Sequence, residues 1–331
     1  MGRENSGLAE RIKHYKSKLR VWNHEIHKVI VGQPLLVDTI IKAIISNGHV
    51  LLEGPPGLAK TLVVKTLGNT VSDVKYVKIR FTPDYLPVDL KGITTYNPKE
   101  GFSVLKGPMF ANFILADEVD CAPPIVQSAF FSFISGENAV IGKESFGLPE
   151  PYFVLAIQNP FSETGNYPLP LAYRDNFLFK VSVNYPASED EQKIVESNTL
   201  VKKFEEFNVK RIMTPGDIFE MQGLVKGIYM SPELKKYIVN IVDATRNPEN
   251  YGLKYQNYIE VGGSPRASID LSMAGKATAF LHGRDYMIPE DVRDVVHNVL
   301  RHRIVLSYEG EAAQLSIDKI VDDIIKAVPV E

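Results

Sequence analysis

The chain has 331 residues, long enough for a sizeable core and two domains, and its 44% hydrophobic and 23% charged content excludes a disordered or fibrous protein. A formal charge of −3 gives no net attraction to nucleic acid or an anionic membrane, so neither is an expected partner. With Cys121 as the single cysteine no intramolecular disulfide can form; with no apolar leader and no run near the roughly 18 apolar residues of a membrane span, a cytoplasmic protein is expected.

Leu8, Ile12, Tyr15, Leu19, Trp22 and Ile26 alternate spacings of four and three, which predicts an amphipathic helix over residues 1–28. Short apolar runs follow at His49–Leu52, Val74–Phe81, Asn112–Ala116, Tyr152–Ile157 and Leu178–Val183, each bounded by Gly, Pro or charged residues, and these predict buried strands. Thr61–Leu67 and Pro124–Ile134 read as helices between them. The alternation predicts an α/β domain over residues 29–184, its parallel sheet covered by helices on both faces. Beyond Tyr185 the strand signals stop. Ser188 with Glu191 makes a capping box, and Ser231-Pro232 and Ser264-Pro265 each set a capping serine before a proline at the first helical position. An all-helical domain over residues 185–331 is expected, with Asn247–Gly263 as a surface loop.

The first strand runs into Gly54-Pro55-Pro56-Gly57-Leu58-Ala59-Lys60-Thr61 and then into the apolar-periodic stretch opening at Leu62. Strand, loop and helix in that order form a phosphate cradle, because the N–H groups of the loop and helix start converge on the anion at the favourable end of the helix dipole. Lys60 is expected to reach the β- and γ-phosphates of ATP and the Thr61 hydroxyl to ligate Mg²⁺, with Gly54 through Leu62 lining the nucleotide. Ala59 stands where the pattern usually has glycine. A residue already turning into a right-handed helix needs no positive φ, so alanine fits. The plainer alternative is a Gly/Pro turn before a chance lysine, and the flanking strand and helix weigh against it.

The third run ends in Asp117-Glu118. Neighbours on a strand point opposite ways, so Asp117 is expected in the Mg²⁺ shell and Glu118 beside an attacking water, as its orienter and base. Taken alone, two acids after a strand fit a solvated loop; the upstream phosphate loop gives them the catalytic reading. The fourth run ends in Gln158-Asn159-Pro160, where the Asn159 amide is a candidate partner for the γ-phosphate or the water, and an Asn-Pro turn is the alternative.

These residues, in this order, resemble the MoxR family of AAA+ ATPases over Val29–Ser307. Further matching phrases are Gly48-His49-Val50-Leu51-Leu52-Glu53, Phe81-Thr82-Pro83-Asp84, Gly107-Pro108, Ala122-Pro123-Pro124, Gln127-Ser128-Ala129, Tyr167-Pro168-Leu169-Pro170, Gly263-Ser264-Pro265-Arg266-Ala267-Ser268 and Leu300-Arg301-His302-Arg303. The resemblance implies a P-loop AAA+ core followed by a helical lid, with ATP and Mg²⁺ as cofactors. It makes Asn159 sensor 1 and Arg266 sensor 2, touching the nucleotide phosphates, and sets Val31-Gly32-Gln33 beside the adenine. It further implies a hexameric ring and a chaperone that remodels or matures a client, metal or cofactor loading included, together with a von Willebrand factor A domain protein. Lys91–Lys106 and Gly142–Pro151 occupy the places of the family's helix-2 insertion and its hairpin before sensor 1, as loops expected to contact substrate. Arg266 also stands out on physical grounds, being a cation in the first turn of a helix, where the dipole disfavours it and a phosphate would compensate it.

Three departures from the family pattern stand out. Glu118-Val119-Asp120-Cys121 replaces Glu-Ile-Asn-Arg, exchanging an amide for a carboxylate and a cation for a thiol. In Arg174-Asp175-Asn176-Phe177, Asn176 takes the place of the arginine that the family extends into a neighbouring subunit. ATP hydrolysis is therefore expected to be slow, unless Arg174 acts as a displaced finger. Two other functions compete: a nucleotide-gated scaffold without useful turnover, and a nucleic-acid motor, for which the Gly142–Pro151 segment, with Lys143 against Glu144 and Glu150, carries too little positive charge.

Overall fold

Neighbouring residues on each central strand are buried on opposite sides of one sheet, and this alternation sets the architecture. The computed structural model describes residues 2–55, 60–99, 101–159, 167–183, 185, 188–197 and 204–330. In chain order α1 (Gly2–His27) and α2 (Pro34–Ile45) precede β1 (Val50–Glu53), α3 (Lys60–Thr70), β2 (Tyr76–Arg80) and α4 (Pro87–Lys91). Next come β3 (Gly92–Asn97), β4 (Gly101–Lys106), β5 (Phe113–Asp117), α5 (Pro124–Ile134), β6 (Ala139–Ile141), β7 (Glu144–Phe146), β8 (Phe153–Gln158), α6 (Leu171–Arg174) and β9 (Phe179–Ser182). The remainder comprises α7 (Ser188–Ser197), α8 (Pro215–Gly227), α9 (Pro232–Ala244), β10 (Ile259–Val261), α10 (Pro265–His282), α11 (Pro289–Leu300), β11 (Val305–Leu306), α12 (Tyr308–Ala312) and α13 (Ile317–Ala327).

The five predicted strands form one parallel sheet in the order β2-β5-β8-β1-β9. Phe113 and Leu115 of β5, with Phe153, Leu155 and Ile157 of β8, face a core built by α1, α2, α3 and the helices after Tyr185. Ile114, Ala116, Val154 and Ala156 face the other core, filled by Phe130 and Phe131 of α5. Each strand matches its apolar run to within a residue or two, and α5 spans the predicted Pro124–Ile134. Ser231 and Ser264 cap their helices as expected, accepting from Leu234 N and Arg266 N at 3.2 Å each.

The helical lid is not purely helical. β10 and β11 pair as a short antiparallel ribbon, and a 3₁₀ turn at Pro248–Tyr251 precedes it, so Asn247–Gly263 is structured where a loop was expected. The period-of-two signal over three residues is too short to read from sequence. Lys91–Lys106 likewise forms the β3–β4 hairpin, and the hairpin expected in Gly142–Pro151 starts earlier, at Ala139, turning at Gly142. Gly142 has φ 64°, a left-handed conformation that glycine adopts without strain. Among the described residues no helix is long and apolar enough to cross a membrane.

Helix α1 ties lid to core. Trp22 is fully buried and donates to Thr70 Oγ1 at 2.7 Å, while Lys18 pairs with Asp217 at 2.6 Å and Arg11 with Glu220 at 2.8 Å in the lid. A second tie is the Arg303 guanidinium, 1% exposed, which pairs with Asp175 at 2.7 Å and with Asp270, and donates to the Phe177 carbonyl at 2.9 Å. Buried charge is tolerated only when its partners are complete. Arg303→Ala strands Asp175 and Asp270, and we expect a loss of about 3–5 kcal/mol, a melting temperature lower by about 4–7 °C. A calorimetric scan showing an unchanged midpoint would contradict this role.

Candidate functional site

The sheet order sets the carboxyl ends of β1, β5 and β8 side by side, with Glu53 opposite Gln158 across β1 and β8 and Arg80 opposite Asp117 across β2 and β5. At this edge α3 begins. Lys60 is buried and curls back so that its ammonium donates to the Gly54 carbonyl. Burial pulls its pKa below the ordinary lysine range, opposed by the charges of Asp117, Asp120 and Glu53. Thr61 is exposed on the first turn of α3, and Leu62 packs against the core behind it. Pro56, Gly57, Leu58 and Ala59 lie outside the described residues.

Both acids at the end of β5 are engaged by cations from β2. Lys78 Nζ lies 2.8 Å from Asp117 Oδ2, and Arg80 grips Glu118 with two bonds of 3.1 and 3.2 Å. The backbone of Glu118 is left-handed, φ 58° and ψ 48°, a conformation that costs a residue with a side chain about 1–2 kcal/mol. It swings the chain out of the strand into the 3₁₀ turn Val119–Cys121. That turn is pinned by Gln127 of α5, 2% exposed, whose amide donates to the Tyr167 carbonyl at 2.9 Å while Tyr167 N donates to the Asp120 carbonyl at 2.7 Å. Asn159 sits half-buried just past β8, its N–H beside the Asp120 carboxylate.

Asp120 is 1% exposed, and among the described residues no side chain donates a hydrogen bond to its carboxylate. Burial raises its pKa, tempered by its own N–H and that of Asn159, and repulsion from Glu118 and Glu53 adds to the rise. Gln33 Oε1 at the start of α2 and Arg174 Nε at the end of α6 are among the other polar atoms buried without partners. Val31 and Gly32, half-buried, lead into Gln33. Orphaned acceptors and donors of this kind fit a polar ligand or water. Among the described residues no three His, Cys, Asp or Glu side chains gather as a metal cage, so a cation here would depend on Thr61, Asp117 and oxygens of the ligand itself, the manner in which Mg²⁺ is usually held.

Arg174 and Arg266 are both engaged within this chain. Arg174 turns inward, half-buried; burial lowers its pKa and Glu53 of the same chain opposes that shift. Arg266, expected at the nucleotide phosphates, is held by the segment before β9. Its Nη1 donates to Asn176 Oδ1 at 2.9 Å and lies 3.9 Å from Asp175, with 52% of the side chain exposed. The reason is the anchoring of α10, whose capping Ser264 donates to Asp175 at 3.0 Å. Sequence reasoning missed Lys78, Arg80 and Gln127; the alternation of β2 places Lys78 and Arg80 on one face, but pairing them with Asp117 and Glu118 requires knowing that β2 neighbours β5.

Comparison with known proteins adds the following. Residues 49–179 match the ATPase family associated with various cellular activities (AAA), and residues 255–324 match the AAA lid domain. The chain is 40% identical to the chaperone MoxR1 of Mycobacterium tuberculosis over 92% of its own length and 80% of the relative's. It is 34% identical to the YeaC protein of Bacillus subtilis, covering 92% of each, and 26% identical to the MoxR protein of Paracoccus denitrificans, covering 96% and 98%. A crystal structure from Cytophaga hutchinsonii superposes with a TM-score of 0.92 at 40% identity, covering 99% of both chains.

Asp120 yields a pH-dependent prediction. A carboxyl whose pKa is higher folded than unfolded lends stability below its unfolded value and loses it as pH rises through the folded one. Asp120→Asn removes the buried charge, so its melting temperature should exceed wild type by about 2–4 °C near pH 8, with a smaller gain near pH 5. A melting temperature equal to or below wild type near pH 8 would show that the carboxylate has a partner after all.

Proposed function

Because the chain belongs to the MoxR family of AAA+ ATPases, we propose that it binds ATP with Mg²⁺ at the carboxyl ends of β1, β5 and β8 and hydrolyses it to drive a ring-forming chaperone. The observation that carries this reading is the convergence of Lys60, Thr61, Asp117 and Glu118 at one edge of a parallel sheet, the edge at which such sheets bind ligands.

In this reading Lys60 exchanges the Gly54 carbonyl for the β- and γ-phosphates, and Thr61 and Asp117 hold Mg²⁺. The metal, when bound, offsets the charge of the phosphate oxygens. Glu118, released from Arg80, orients a water and takes its proton, and the Asn159 amide fixes the far side of that water or the γ-phosphate. Gln33 Oε1 is the acceptor for the adenine amino group. Asn176 holds Arg266, so a half-exposed guanidinium stands where the family places an arginine, offered from the lid toward a neighbouring subunit. Arg174, facing Glu53 of its own chain, suits a part in the same subunit's crevice.

The ring, taken as hexameric, acts on a client protein with a von Willebrand factor A domain partner; these partners, and metal loading as one form of maturation, follow from the family alone. Support for client contact comes from the β3–β4 hairpin, where Tyr96, Leu105 and Phe102 are 64%, 62% and 79% exposed. The lone cysteine suits a cytoplasmic setting. A second reading, a nucleotide-gated scaffold, draws on the uncharged Asn176 and the unpaired Asp120.

Saturating ATP with Mg²⁺ should raise the melting temperature by about 4 °C through mass action, and Lys60→Ala should abolish the rise; a mutant with the full rise would misplace the phosphate site. Wild-type protein should release phosphate, Glu118→Gln should not, and Arg266→Ala should lose about 10³-fold in turnover while keeping the thermal shift. Wild-type release no faster than Glu118→Gln would favour the scaffold.

A further inference from the structure

Strand β2 brings an ammonium to the point where the two proposed metal ligands meet. Lys78 Nζ lies 2.8 Å from Asp117 Oδ2 and donates to Thr61 Oγ1 at 3.3 Å, so one cation bridges the hydroxyl at the start of α3 and the carboxylate at the end of β5. The fold aims it there. Ile79 is buried beneath the sheet and Lys78 therefore lies on the face of α3, while the register sets Lys78 opposite Leu115, two residues short of Asp117, a gap that its four-carbon stem crosses. The Lys78 side chain is 36% exposed and that of Asp117 20%, so the ammonium keeps water on one side and can leave without becoming a buried unpaired charge.

We propose that Lys78 is a resident counter-cation that competes with the divalent metal for Thr61 and Asp117. The inference rests on the proposed reading of those two residues as metal ligands. A monovalent ammonium and a divalent ion cannot share a site of this size, because like charges roughly 3 Å apart repel strongly where water is only partly present. Metal entry therefore displaces Lys78, and the affinity for metal is set by that exchange as well as by the ligands. Before metal arrives, Lys78 neutralises Asp117, which otherwise repels an incoming polyphosphate. Lys78 thus tunes the metal dependence of nucleotide binding: metal-free nucleotide is tolerated, and the metal step is weakened.

The test measures Mn²⁺ bound to the full-length protein by the loss of the free-ion electron paramagnetic resonance signal, with a non-hydrolysable ATP analogue and protein in excess over nucleotide. Lys78→Met should tighten Mn²⁺ roughly fivefold, the scale of one competing exposed ion pair removed. It should also weaken metal-free binding of the analogue, whereas Lys78→Arg should keep the wild-type Mn²⁺ affinity. Unchanged or weaker Mn²⁺ binding in Lys78→Met overturns the competition, and loss of analogue affinity alone makes Lys78 a phosphate ligand instead. Asp117→Asn separates the two levels. If that variant keeps the Mn²⁺ site of the wild type, the nucleotide-site reading itself has failed; if it loses the site while Lys78→Met behaves as wild type, only the inference about Lys78 has failed.

Discussion

Four carboxylates, Glu53, Asp117, Glu118 and Asp120, lie at the carboxyl edge of the central sheet, and compensating their charge is the constraint around which the surroundings are built. Three of them are met by cations from neighbouring strands: Glu53 by Lys180 of β9 at 2.8 Å, Asp117 by Lys78 and Glu118 by Arg80 of β2. Asp120 has no such partner and is the most buried of the four. Like charges gathered in a partly dry crevice favour any added cation and disfavour an added anion unless metal or lysine accompanies it. Lys60, drawn toward three of these acids, is consequently a lysine whose burial is tolerated.

The opposite end of the functional machinery is held by the segment Asp175–Phe177. Asp175 receives Arg303 and Ser264, Asn176 receives Arg266, and the Phe177 carbonyl accepts from both Arg303 and His302. His302 is fully buried, and burial together with the Arg303 charge holds its pKa far below the ordinary histidine value, so it stays neutral and donates from Nε2. Lid and core share one apolar cluster as well. The lid therefore does not hang from a linker but is welded to the turn that precedes β9, and the direction in which Arg266 points is a consequence of that weld.

Much of this was legible in the sequence, and the reason is physical. Strands buried on both faces read as continuous apolar runs, so β1, β5 and β8 were found nearly in place, and α5 between its prolines and Ser135 was found to the residue. Capping serines announced α9 and α10. What failed was whatever depends on which strands are neighbours: Lys78 and Arg80 look like ordinary solvated charges until β2 lies against β5. Arg266 is expected at a phosphate from the family resemblance, with its helix-dipole position in support, and the sequence does not announce that Asn176, ninety residues away, also supplies it a polar partner. The β10–β11 ribbon is too short for a period to register.

The central claim is that a nucleotide and a divalent cation share the crevice at the ends of β1 and β5. Its most direct test is anomalous scattering from crystals grown with Mn²⁺ and a non-hydrolysable ATP analogue. The account predicts a single strong peak between Thr61 Oγ1 and Asp117, with phosphate density over Lys60. Ordered nucleotide whose Mn²⁺ lies away from both residues, or nucleotide bound at another face of the chain, would contradict it.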